Sequence, residues 1–144
     1  MQLLRTATIA LAILPLFAGG FYLELGSPAA SSDPKAKGAV LVTRFTGCHE
    51  PEKGALEAVA VGMVKGQRQS LPLKLTPLAQ PGMYAIAQQW PLEGKWVVHL
   101  TGRHPQHNVP TSLLVRVSGD TFERKDAKFM MRLATPEEVT ALLD

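Results

Sequence analysis

The residue types with the most specific chemistry in this chain are one cysteine and three histidines in two short segments, Cys48-His49 and His104-Pro105-Gln106-His107. Thiolate and imidazole ligands suit Cu(I) or Zn(II), and three or four of them complete a site. If the two segments meet in space, Cys48, His49, His104 and His107 form a candidate copper or zinc site. Histidines are also common on exposed loops, and a lone cysteine tucks easily under a turn. In that case none of the four holds a metal. Cys48 acting as a nucleophile with a histidine base would need a third group to orient the base, and an oxyanion hole. No segment identifies either one. Nor does the sequence contain a glycine-rich phosphate loop, a nucleophile elbow or a catalytic pair of carboxylates, so the expectation is a non-enzymatic protein without a dedicated organic cofactor.

These residues need a scaffold, and the pattern of the chain from residue 39 onwards supplies one. Short runs of alternating apolar and polar residues recur every 10–12 positions between Gly, Pro and Asn. They cover 39–46, 55–64, 69–79, 83–90, 95–103, 111–118 and 121–133. Pro72 and Pro77 cannot donate to a ladder, which makes 69–79 an edge strand. Pro91-Leu92-Glu93-Gly94 reads as a tight turn and Gly119-Asp120 as a hairpin turn. Near the end, Thr135-Pro136-Glu137-Glu138 is a capping box that opens a short helix with Val139, Leu142 and Leu143 as its apolar stripe.

The expected fold is all-β, an immunoglobulin-like β-sandwich of about seven strands with a short C-terminal α-helix lidding one open end. If neighbouring strands alternate in direction, segments 47–54, 80–82 and 104–110 share one end of the sandwich. That gathers Cys48, His49, His104 and His107 at one rim, with Met83, Glu50 and Glu52 nearby. Trp96 shares a face with Val98 and Leu100 and is expected in the core, with Val97 and His99 on the opposite, wetter face. Trp90, at a strand end before Pro91, is expected to be partly exposed. The alternative is that Tyr84, Trp90 and Trp96 line a groove for a peptide or a glycan.

The N-terminal stretch is of another kind. One charge, Arg5, is followed by the uncharged run Thr6 to Leu23, broken by Pro15 and carrying the small residues Ala18-Gly19-Gly20 late in it. This is the pattern of a secretory leader, and two cleavage sites fit: after Ala18-Gly19-Gly20 or after Ser27-Pro28-Ala29. An uncleaved membrane anchor fits as well, and either reading exports the domain. The expected organisation is a signal peptide or anchor over 1–25, a flexible linker over 26–38, the sandwich over 39–134 and the capping helix over 135–144.

The first 25 residues contribute Arg5 and Glu24, so the remainder keeps the net charge of +3. Its bases are scattered, with no dense run and no interleaved stacking aromatics, so a nucleic-acid partner is not expected. With one cysteine, the fold needs no internal disulfide.

The segment Leu73 to Leu100 resembles the middle of exported bacterial immunoglobulin-like modules of the YtkA-like and FixH-like kind. The residues that carry this are Pro81-Gly82-Met83-Tyr84, matching a proline-glycine-X-tyrosine strand, and Gly94-Lys95-Trp96, matching a glycine-X-tryptophan strand. The resemblance implies the sandwich fold and export to the periplasm or beyond. Such modules include copper-handling accessory proteins, although this chain has no His-rich or Met-rich tail. The expected function is therefore an exported, non-enzymatic module that binds a protein or surface partner. It would touch the membrane only through its N-terminal segment if that is retained. The alternative is a periplasmic copper- or zinc-binding accessory protein.

Overall fold

A computed structural model describes residues 20–47 and 50–144; residues 1–19 and the Cys48-His49 pair lie outside it. The strands are β1 (Tyr22–Gly26), β2 (Leu41–Thr46), β3 (Ala55–Val64), β4 (Gln67–Pro72), β5 (Thr76–Pro77), β6 (Met83–Ile86), β7 (Trp96–His104), β8 (His107–Ser118) and β9 (Thr121–Met130), followed by one helix, α1 (Pro136–Ala141). They form two antiparallel sheets, ordered β1-β2-β6-β5 and β4-β3-β7-β8-β9. This is the immunoglobulin strand order, with β9 added outside β8. The all-β sandwich is as expected, with nine strands among the described residues rather than about seven.

Period-two alternation builds the core. From the five-stranded sheet, Ala58, Ala60, Trp96, Val98, Leu100, Leu113, Val115 and Val117 point inward. From the other sheet, Phe21, Leu23, Leu41, Phe45 and Ile86 meet them. Trp96 is fully buried, and a Cβ added at Gly62 would lie 2.5 Å from its ring, so that glycine makes room for the indole.

Four expectations are corrected. The first concerns the leader and linker. Residues 22–26 form an edge strand paired with β2 from Tyr22↔Thr46 to Gly26↔Val42, and Phe21 and Leu23 are buried in the core. Residues 27–38 form a strap across the outer face of the four-stranded sheet rather than a flexible linker. Two 3-10 turns, at Pro28–Ala30 and Pro34–Ala36, shape it. Ala36 packs with Val42, Leu78 and Ala85, and the Asp33 carboxylate accepts from the Ala79 N–H at 2.6 Å and the Lys35 N–H at 2.9 Å. Those backbone donors hold the Asp33 carboxyl below its ordinary pKa. Small side chains and one anchoring carboxylate allow a polar, proline-containing segment to dock.

The second correction is the 69–79 run. The chain leaves the five-stranded sheet after Pro72 and joins the other sheet at Thr76. The Gln89 amide bridges the crossover, accepting from the Lys74 N–H at 2.7 Å and donating to the Lys74 carbonyl at 3.0 Å. Third, Trp90 is buried, its Nε1–H donating to the Gly119 carbonyl at 2.9 Å. Fourth, α1 does not lid an end. Its Val139, with Leu142 and Leu143 just beyond it, covers Val61, Val97 and Leu114 on the outer face of the five-stranded sheet. That face is apolar along its central strands and needs a cover.

Candidate functional site

The rim expected to carry the metal ligands lies where β7 turns into β8. His104 and His107 are paired across the Pro105-Gln106 turn, with ring centroids 5.7 Å apart. Glu50 and Pro51, and the 80–82 segment, do approach this end. A Cβ at Gly82 would sit 2.8 Å from Pro51, and Nε2 of His104 lies 3.2 Å from the Glu50 carbonyl oxygen.

The hydrogen bonds of His104 fix its tautomer. The Gln106 N–H can only donate, so Nδ1, 3.2 Å away, is the acceptor. The Glu50 carbonyl can only accept, so Nε2 carries the proton. Both ring nitrogens of this buried imidazole are therefore engaged, and a metal would have to displace one of these bonds. Glu50 itself adopts a left-handed conformation (φ 60°) at the point where its carbonyl meets the histidine. His104 is a structural clamp between that segment and the β7–β8 hairpin.

Around it is an aromatic cluster. The Phe21 ring stacks on His107 at 5.6 Å and tilts against His104 at 5.4 Å and Phe45 at 4.8 Å; Tyr84 meets Phe45 edge-on at 6.2 Å. Gly54 and Gly102 leave the room for Phe45, since a Cβ at either would come within 2.8 Å of its ring. The hydroxyl of Thr111, also against Gly102, is buried with no hydrogen-bond partner among the described residues.

Of the four residues expected as metal ligands, His104 and His107 come together, while Cys48 and His49 fall outside the described residues. Met83 does not join them; it packs on the outer face of its sheet near Val42 and Ala85. Among the described residues no three His, Cys, Asp or Glu side chains converge on a point fit for a metal ion. His99, expected to face solvent, is half-buried on the sheet face that α1 covers. Its Nε2 lies 3.3 Å from the Ser112 hydroxyl, which also accepts from the Ala134 N–H at 2.9 Å. Desolvation there pushes the His99 pKa below that of a free imidazole.

A feature that strand periodicity did not signal is a groove of about 400 Å³ lined by Leu56, Glu57, Val59, Pro72, Leu73 and Leu75. It exists because the β3–β4 ladder covers only Val59 to Val64, with one further bond from the Leu73 N–H to the Ala58 carbonyl at 2.9 Å before the chain swings away. The first part of β3, Ala55 to Glu57, is hydrogen-bonded to β7 on one side and has no ladder partner on the other among the described residues. No helix among the described residues is long and apolar enough to cross a membrane. In comparison with known proteins, the chain matches no family model, no curated sequence and no solved structure.

Proposed function

We propose that this chain is an exported, non-enzymatic immunoglobulin-like module that works by binding a protein or surface partner. The observation that carries the reading is the groove beside the start of β3, whose outer edge has no ladder partner among the described residues. Leu56, Leu73 and Leu75 line it beside a strand edge at Ala55–Glu57 that carries no second ladder among the described residues, a combination suited to an added strand from another chain. The exported setting rests on the charged start and apolar run of residues 1–23 and on the resemblance to exported modules. The test is photocrosslinking in cells expressing the full chain, with p-benzoylphenylalanine replacing Leu75 or, as a control on the far edge, Lys125. A discrete adduct from position 75 that Leu73→Lys abolishes is the expected result. Equal labelling from both positions, or none from either, rejects the groove as the binding surface.

A copper- or zinc-binding accessory protein is the second reading. What favours it is that the Glu50 carbonyl, one residue on from His49 in the chain, lies 3.2 Å from Nε2 of His104. In this reading Cys48, His49 and His107 supply the ligands while His104 clamps the loop. Native mass spectrometry of the reduced, exported protein with Cu(I) and then Zn(II) decides it. The metal reading expects one retained ion, lost in His107→Ala; the binding-module reading expects none.

A further inference from the structure

We infer that the leader is removed by hydrolysis of the Gly20–Phe21 peptide bond, so that the mature protein begins with β1. This goes beyond the binding role and rests only on its export part.

Two observations choose among the three fates that the sequence allows. The first is the place of residues 21–26. Phe21 is 1% exposed and Leu23 4%, and β1 is hydrogen-bonded along β2 through five register pairs. The Glu24 carboxylate meets the Arg44 guanidinium at 2.7 Å, and Arg124 donates to the Leu25 carbonyl at 2.7 Å across to the second sheet. A cut after Ala29 would remove this strand, along with the Phe21 ring that Phe45, His104 and His107 pack against. A cut after Gly20 leaves all of it in the mature chain.

The second observation is one of length. The uncharged run Thr6 to Leu23 has 18 residues, but its last three belong to the sandwich, which leaves Thr6 to Gly20. An α-helix of those fifteen residues measures about 22 Å, short of the roughly 30 Å hydrocarbon core of a bilayer. The same stretch suits a cleaved leader: Thr6 to Phe17 is an apolar core of twelve residues, followed by Ala18-Gly19-Gly20 with small residues at the third and last positions before the cut. Arg5 supplies the basic start. In the reaction a leader peptidase uses water alone as co-reactant. The C–N bond between Gly20 and Phe21 breaks, the hydroxyl adds to the Gly20 carbonyl carbon, and the proton goes to the Phe21 nitrogen.

The test is expression of the full chain with its own leader in a Gram-negative host, followed by fractionation, intact mass and N-terminal sequencing. The expected product is a periplasmic chain starting at Phe21. Ala18→Tyr should retain the leader, and Ala29→Tyr, at an exposed position of the strap, should leave processing unchanged. A periplasmic product starting at Ala30, or an uncleaved chain held in the membrane with the domain outside, overturns the cleavage site while leaving export intact. An uncleaved chain in the cytoplasm overturns both.

Discussion

At the scale of single residues, the most informative side chain is His104. Imidazole is a metal ligand when a nitrogen lone pair is available. Here the only lone pair is accepting from the Gln106 N–H, and the protonated nitrogen is donating to Glu50. Removing the ring takes the partner from the Glu50 carbonyl and the Gln106 N–H and opens a void against Phe21. His104→Ala is therefore expected to cost roughly 2–4 kcal/mol in a urea titration. Under the metal reading it should still retain the ion at native conditions, whereas His107→Ala should lose it at little cost in stability. A stability loss below about 0.5 kcal/mol for His104→Ala would remove the clamp assignment.

Elements add constraints that single residues do not carry. The helix α1 is short, and its start is held by reciprocal hydrogen bonds: Thr135 Oγ1 accepts from the Glu138 N–H at 3.2 Å, and the Glu138 carboxylate accepts from the Thr135 N–H at 2.8 Å. Arg132 grips the same carboxylate with two donors at 2.6 and 2.9 Å. The Arg132 bonds first, and then the Thr135 N–H, lower the Glu138 pKa from 4.5 to about 2. Because the folded-state pKa is the lower one, the stabilisation is fully present above about pH 4.5. It is lost as the pH falls from there through about 2. NMR titration of the Glu138 carboxyl should show the depressed midpoint, and Arg132→Gln should move it upward. An unmoved midpoint in that variant would assign the shift to the cap alone. Strand β1 shows the same dependence on neighbours. Its Leu23, and Phe21 just before it, each contribute roughly 1.5–3 kcal/mol by burial, so the sandwich needs residues that read in sequence as leader.

For the whole molecule, the sandwich is closed on one outer face by α1 and on the other by the 27–38 strap, and its centre is Trp96. The indole is fully buried, packs against Gly62, and its Nε1–H donates to the Glu93 carbonyl at 3.2 Å. Trp96→Ala should cost roughly 3–5 kcal/mol, because so large a void between two hydrogen-bonded sheets cannot collapse. A loss under about 1 kcal/mol by denaturant titration would mean that the sheets close over the gap.

The alternating runs at 55–64, 95–103 and 111–118 were legible in the sequence because a strand packed between two sheets must show its period of two, and each became a strand. The helix cap was legible for a similar reason: every bond in it lies within four residues. Strand alternation puts segment 104–110 at one end of the sandwich, but it reads there as a loop, and the pairing of His104 with His107 across a two-residue turn shows only in the folded chain. What only tertiary structure decided depends on contacts distant in sequence. Phe21–Leu23 reads as the tail of a leader by hydropathy, since an apolar residue carries no mark of whether lipid or a protein core will cover it. The strap was hidden because its docking rests on Asp33 finding the Ala79 N–H, 46 residues away. The burial of Trp90 is not legible locally because its partner, the Gly119 carbonyl, lies 29 residues on. The role of His104 stayed open because a histidine's chemistry depends on what its two nitrogens meet, and Glu50 reaches it only once the loops have folded together.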